Sequence, residues 1–368
     1  MIQCTLNVAD KHSMYMEQIV AGFTLLQKQG KVTFAFSEKP QLAKEFYHSA
    51  IIELLIGGKR VIYDLTDGYN NFPTFSAIDE MLDNVDIYYK ASIREEFHRG
   101  FRNAAKIKVL APRYRVTCSS SPLNKIAFGS ILRGDTSEAK RLLRKLPFVK
   151  NAQQNWHIKE FEAQPIVGAQ PKVFFYTRLW DPAIASGYSS VNTDLDGTDV
   201  EERIRTKSAE YEEVSALRAG LVRTLKKELG ASFIGGVAPD AFSEKYCPDL
   251  VGGVNMSSRK DYTRNLQSAE ICVNTQGTHH CWNFSFGEEL AAARAIITEK
   301  PFYQTPDYLE EGVNFYTYDS IETCVEKAVA LLEDRQLLEN MMVANHDYYQ
   351  NHLRPDKLVW DTIKDFAE

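Results

Sequence analysis

Residues 262–300 read YTRNLQSAEICVNTQGTHHCWNFSFGEELAAARAIITEK, and this stretch decides the fold. Residues 262–269 carry helical spacing, and Ile271-Cys272-Val273-Asn274 is an apolar run of strand length. Thr275-Gln276-Gly277-Thr278 is turn chemistry. Glu288 to Arg294 is rich in helix formers, and Ala295-Ile296-Ile297-Thr298 reads as a second buried strand. Helix, strand, turn, helix, strand is the unit of an open parallel sheet, whose ligands bind outside the carboxyl ends of the strands. The turn after Val273 therefore faces a cleft. Gly277 permits close backbone approach there, and the N-terminus of the next helix favours anionic groups.

Working outward, the same alternation recurs. Before this stretch, Lys172–Thr177 reads as a strand, Glu201–Leu229 as a long helix ended by Gly230, and Ser232–Gly236 as a strand. After it come a strand at Val313–Thr317 and helices at Ile321–Glu333, Leu337–Tyr349 and Asp356–Phe366. In the first half, strands are expected at Gln3–Val8, Lys31–Ser37, Ile51–Ile56, Arg60–Asp64, Val85–Tyr89 and Lys106–Leu110. Helices are expected at Tyr15–Gln29, Arg94–Phe101 and, with a basic face, Thr136–Lys145. Strands alternating with helices predict α/β architecture, as two Rossmann-like, doubly wound parallel-sheet domains facing a cleft. Residues 151–171 have weak periodicity and hold the boundary. The domains are then 1–165, 166–350, and a C-terminal helix at 351–368 that packs back toward the first domain.

Length and composition agree. At 368 residues the chain suits two domains, each able to bury a sizeable core. A net charge of -6 argues against nucleic acid as a partner. Charge is uneven, however: residues 94–150 hold fourteen Lys/Arg against four Asp/Glu. That segment is either a docking face for phosphates or an anionic membrane surface, or a set of solvated helices. The six cysteines form no CxxC pair and suit a reducing compartment. With no 18-residue apolar run and no signal-peptide pattern, the expected location is cytoplasmic, peripheral to the inner face of the cell membrane if the basic segment docks there.

The segments FFYTRLWDP, LRAGLVRTLKKELGASFIGG and SFGEELAAARAIITE resemble bacterial glycosyltransferases of the two-lobed GT-B fold that build surface polysaccharides of the capsule or O-antigen type. The likeness spans residues 171–318, with looser matches at YDLTDGYN and VDIYYKAS. It implies transfer of a sugar from a nucleotide-sugar donor to a glycan or lipid-linked acceptor, with no cofactor and no metal. The family pattern falls here on Arg178, Arg218, Gly277 and Phe284-Ser-Phe286-Gly-Glu288, and it implicates Glu288 in holding the ribose. Where the family usually has Trp before that glutamate, this chain has Phe284, with Trp282 two residues earlier.

The chemistry asks for cations or N–H donors at a diphosphate leaving group and, on the acceptor side, a base. Arg178 follows a strand end, so its guanidinium can fork onto phosphate oxygens, or else pair with Asp181. Arg218 lies on the long helix, where arginines are usually solvated or locally paired; Arg259 and Lys260 precede another helix. Thr278 and His279 follow the glycine turn, with His280 as an alternative contact. Glu299 ends the next strand on the same side of the sheet. The donor set is therefore Arg178, Arg218, Gly277, Thr278, His279, Glu288 and Glu299. Glu288 and Glu289 adjoin on one helix, so only one is expected to face the cleft. Adjacent histidines diverge, and no second ligand cluster accompanies His279-His280-Cys281, which disfavours zinc. Asp194-Leu-Asp196 reads as an exposed acidic loop and not a metal site. On the acceptor side, Asp64 and Asp67 follow a strand; Asp67 and His98 are the catalytic candidates, against a turn-forming aspartate and a surface histidine.

Two other classes stay open: a non-catalytic, two-lobed nucleotide-sugar binder or sensor, and a dehydrogenase or epimerase. The last lacks the expected glycine fingerprint, since Asn7 to His12 contains no glycine.

Overall fold

The computed structural model describes residues 1–8, 14–37, 50–68, 75–119, 156–188, 200–252 and 258–366. The basic helix expected at Thr136–Lys145 and the acidic triplet at Asp194 lie outside the described residues.

The first lobe is built on a six-stranded sheet. Its strands are β1 (Ile2–Val8), β2 (Val32–Ser37), β3 (Ile51–Ile56), β4 (Lys59–Asp64), β5 (Ile87–Lys90) and β6 (Ile107–Val109), in the order β2-β1-β3-β4-β5-β6. The doubly wound plan holds with one exception to the all-parallel expectation: β3 runs antiparallel to both β1 and β4. The cause is local. Gly57 and Gly58 both adopt left-handed backbone, φ 55° and 74°, and make a two-residue turn whose twist matches a hairpin. A parallel connection would need a dozen residues or more. Because β3 is central, nearly every side chain on it is buried, including Glu53, which accepts from Asn7 at 2.8 Å and pairs with Arg60 at 3.1 Å.

Helix α1 (Glu17–Lys28) covers one face of this sheet and α2 (Phe75–Asp83) packs in a cluster with Ile62 and Tyr88. A four-residue helix α3 (Glu95–His98) follows β5. A two-stranded ladder of β7 (Val116–Thr117) and β8 (Trp156–His157), then α4 (Ile158–Phe161), leads toward the second lobe.

The second sheet is wholly parallel. Strands β9 (Val173–Thr177), β10 (Phe233–Val237), β11 (Ile271–Asn274), β12 (Ala295–Glu299) and β13 (Phe315–Tyr318) take the order β10-β9-β11-β12-β13. The chain winds outward one way from β9 to β10, then the other way from β11. The switch point therefore lies between the carboxyl ends of β9 and β11, where such sheets bind ligands. Helices α5 (Val200–Leu229), α6 (Ser243–Tyr246), α7 (Arg259–Gln267), α8 (Phe284–Ala291), α9 (Ile321–Glu333) and α10 (Arg335–Tyr348) complete the lobe. Leu221 and Leu225 of α5 meet Val173, Ile271 and Ile297 in its core. Each fully buried aliphatic contributes on the order of 1.5–3 kcal/mol.

Helix α8 begins four residues before the expected start at Glu288. Asn283 caps it, its side-chain oxygen accepting the Phe286 N–H at 3.1 Å, so FSFG is wound into the first turn. Past α10 the chain passes through one π-type turn and enters α11 (Pro355–Ile363), which lies along α1. Tyr63 bonds to Thr362 at 2.5 Å, and Gln29 to Asp356 at 2.8 Å.

Candidate functional site

At the switch point, a cavity of about 30 Å³ opens between Thr177 at the end of β9 and Asn274-Thr275 at the end of β11. Its polar lining is one network. Asn274 Nδ2 lies 2.9 and 3.0 Å from the Glu289 carboxyl oxygens, and 3.2 Å from both Asn283 Oδ1 and Ser285 Oγ. Asn283 Nδ2 donates to the Thr275 carbonyl at 2.7 Å. Burial pushes the Glu289 carboxyl well above its ordinary value, aided by the neighbouring Glu288 charge and only partly opposed by Asn274. A neutral carboxyl beside an amide can both give and take hydrogen bonds from a hydroxyl. The volume suits one or two such groups.

Both adjacent glutamates are buried, facing different partners. Glu289 turns to the cavity, whereas Glu288 is ion-paired with Arg259 of α7. Burial raises the Glu288 carboxyl, opposed by Arg259, Arg115 and Tyr262. Arg115, from the segment before β7, is itself lowered by burial and by the charges of Arg259 and Arg178. Three guanidinium groups thus share one small region with one carboxyl.

Arg178 and Arg218 are placed very differently. Arg178 is exposed at the end of β9, and its guanidinium makes no hydrogen bond or ion pair among the described residues. Arg218 is 6% exposed and donates to Thr275 Oγ1 at 3.0 Å, the Arg178 carbonyl at 2.7 Å and the Gln276 carbonyl at 3.0 Å. It ties together the strand ends flanking the switch point. Glu299, at the end of β12, accepts the Gln276 N–H at 2.6 Å; burial raises its carboxyl, opposed by that N–H and by Arg218.

Gly277 has ordinary extended backbone, φ -81°, and its N–H donates to the Cys281 carbonyl at 2.8 Å. The left-handed positions fall instead on His279 and His280, φ 60° and 56°, each costing about 1–2 kcal/mol for a side-chain-bearing residue. Thr278 opens this short turn, half-buried. His280 packs on Phe302 at 4.8 Å between ring centres, and the Arg94 guanidinium lies over the same Phe302 ring, 3.9 Å from its centroid.

The first lobe meets this loop at the carboxyl ends of β4 and β5. Asp64 and Lys90, both fully buried, pair at 2.7 Å, and Asp64 also accepts from Tyr88 and from Thr66. The Leu65-Thr66-Asp67 turn so fixed is gripped by Arg113, which donates to the Leu65 carbonyl and the Asp67 carboxylate. Arg113 also lies 5.3 Å from the Phe284 ring centre. The Asp67 charge reaches His279 and Cys281; together with burial it lifts the Cys281 thiol to about 11. Ser92 bonds to Cys281 at 3.3 Å, and Gln304 N–H donates to the Ile93 carbonyl at 2.8 Å. Asp67 is therefore assembled with the His279 loop, while His98 packs on Phe101, 6.3 Å between centres, near α2.

Sequence reasoning weighed Glu289 only as the neighbour of Glu288, to which the resemblance gave the ribose, and it assigned no site role to Asn274, Asn283, Arg113 or Arg115. The cap was readable from Asn283 three residues before Phe286; the others carry no local signature. In the basic segment, Arg94 pairs with Glu96, and Arg102 pairs with Asp79 and Asp83 at 3.4 and 3.0 Å, so part of its charge is neutralised locally. Among the described residues, no group of three or more His, Cys, Asp or Glu is placed to hold a metal ion, and no helix is long and apolar enough to cross a membrane.

Two mixed or parallel sheets with flanking helices give the chain a two-lobed, Rossmann-like GT-B architecture. Neither a family model nor a curated protein matches it. Among solved structures similar to it is Anabaena Alr3699/HepE in complex with UDP, 11% identical, covering 100% of both chains at a TM-score of 0.38. UDP-GlcNAc 2-epimerase from Neisseria meningitidis bound to UDP-GlcNAc is 10% identical over 98% of each chain, TM-score 0.37. The C-terminal domain of a glycosyl transferase group 1 family protein (LpcC) from Francisella tularensis is 13% identical, covering 54% of this chain and 97% of its own, TM-score 0.33.

Proposed function

We propose that the chain is a glycosyltransferase that moves a sugar from a nucleotide-sugar donor to a glycan or lipid-linked acceptor, in the synthesis of bacterial surface polysaccharide. The observation that carries this reading is the polar cavity at the β9/β11 switch point, with the exposed Arg178 beside it and Asp67 of the other lobe beside the same loop. Arg178, with Arg115 and Arg259 behind it, offsets charge that develops on the diphosphate as the sugar leaves. Glu289 and Asn274 take a hydroxyl of the donor. Asp67 is the carboxylate that accepts a proton from the incoming hydroxyl in this reading. Arg218 and Glu299 shape the strand ends without needing to touch the donor. The remainder of the basic segment 94–150 is the docking face for an anionic membrane or acceptor phosphate, at the cytoplasmic side.

The test is a thermal-shift screen against UDP-, GDP-, dTDP- and CMP-sugars. Ligand at a hundredfold its dissociation constant stabilises by about 2.7 kcal/mol, a readily measured amount. One nucleotide class should stabilise the wild type, and the same concentration should stabilise Arg178→Ala by only about half as much, roughly 1.4 kcal/mol. A protein unmoved by all four classes, or an Arg178→Ala variant that binds as well as wild type, overturns the reading. Slow nucleotide release without acceptor separates a transferase from a sensor, which would release none.

A further inference from the structure

Two adjacent residues with side chains, His279 and His280, sit in left-handed backbone within the loop after β11. Such a conformation persists only where neighbours over-determine it. For His279 the neighbours are explicit. Glu210 of α5 accepts its main-chain N–H at 2.6 Å, and Tyr303 donates to its carbonyl at 3.0 Å. Lys207 Nζ lies 3.3 Å from the ring Nε2, and Lys207 and Glu210 bond to each other at 2.8 Å. An ammonium can only donate, so Nε2 is the acceptor and the ring proton sits on Nδ1.

We propose that Lys207 and Glu210 are positioning residues for the nucleotide-sugar site, holding His279 as the neutral Nδ1–H tautomer and fixing the 276–281 loop in its binding shape. This rests on the function proposed above. A protonated imidazole would set a second cation against Lys207, so loop order and nucleotide binding are lost together on acidification. The charged groups around the ring are Lys207 and Glu210 from α5, Asp67 from the turn after β4, and His280 beside it. Burial and then Lys207 hold the ring below its ordinary value; Glu210 and Asp67 pull the other way. Binding is therefore intact above that lowered value and falls as pH drops through it.

The test uses the full chain with ¹⁵N-labelled histidine. Long-range ¹⁵N–¹H spectra report the His279 tautomer without ligand, and calorimetry with UDP is followed downward in pH from neutrality through the lowered His279 titration that the same spectra locate. The expected tautomer is Nδ1–H. Lys207→Met should move the His279 titration up toward its ordinary value and carry the acid limb of UDP binding with it. At pH above that limb, UDP affinity should fall about fivefold to tenfold, the loss expected when a binding-ready loop becomes a minor conformer. Glu210→Ala should weaken UDP similarly, whereas Glu210→Gln, which keeps an acceptor for the His279 N–H, should stay within about twofold. An Nε2–H tautomer, or a titration unmoved by Lys207→Met, overturns the proposal. If UDP binds at no pH, the calorimetry is repeated with GDP, dTDP and CMP; should none of the four bind, the proposed function fails, while tautomer and titration still decide the brace.

Discussion

The guanidinium of Arg218 donates to the main-chain carbonyl of Arg178 at 2.7 Å, and the two arginines consequently do different jobs. Removing Arg218 strands three acceptors at the strand ends, each worth about 1 kcal/mol or more. Arg218→Ala should therefore cost about 3 kcal/mol, read as a lower urea midpoint. Arg178→Ala should shift stability by less than about 0.5 kcal/mol, as exposed sites do. It should nonetheless weaken nucleotide binding about tenfold, or ~1.4 kcal/mol. Equal losses of stability in both variants would erase the distinction.

Glu289 gives a pH signature. Its folded carboxyl is raised by burial, so the folded state holds a proton that the unfolded chain releases from about 4.5 upward. Stability contributed by this group is present below that value and declines as pH rises toward the raised one. Glu289→Gln, a neutral mimic, should match wild type within about 1 kcal/mol near pH 5 and gain on it steadily toward alkaline pH. Parallel stability profiles for the two proteins would show that the carboxyl ionises freely.

Lys90 and Asp64 form a fully buried pair at the ends of β5 and β4. Lys90→Met leaves the Asp64 charge uncompensated and should cost about 3–5 kcal/mol. The double variant Asp64→Asn/Lys90→Met should recover at least half of that loss in urea denaturation. A double variant no better than the single would mean that the turn, and not the charge, is what the pair supports.

Gly287 is where α8 meets the segment from the first lobe. A Cβ there would lie 2.7 Å from the Arg113 carbonyl oxygen and 2.9 Å from Tyr114 Cβ. Neither neighbour can swing aside. Gly287→Ala should destabilise by about 1–3 kcal/mol, the usual cost of overpacking. An unchanged urea midpoint would show that the two lobes are not locked at this point.

Asp67 tests the chemistry. Asp67→Asn should lower turnover about 10²–10⁴-fold, the range for a proton-transfer group, with nucleotide affinity unchanged. Should nucleotide release without acceptor be absent in wild type as well, a binding or sensing role replaces the transferase.

Much of this was legible in the sequence. The second sheet's strands at 173–177, 271–274 and 295–299 showed as short apolar runs between turn residues and helix formers, and so did the position of a cleft beyond their carboxyl ends. Period and composition are local properties, and they survive in a single chain. The all-parallel expectation misses the antiparallel β3, although two glycines between strands of equal length are a hairpin signal.

What only the tertiary structure decided is which charge faces which. Arg218 meets Thr275 across 57 residues, Arg113 meets Asp67 across 46, and Lys207 meets His279 across 72. Glu288 and Glu289 are alike to any local rule, yet one is given to Arg259 and the other to Asn274. Burial and pairing depend on groups that reach the site only when the sheets close, so the sequence by itself determined the strands and the tertiary fold assigned the chemistry at their ends.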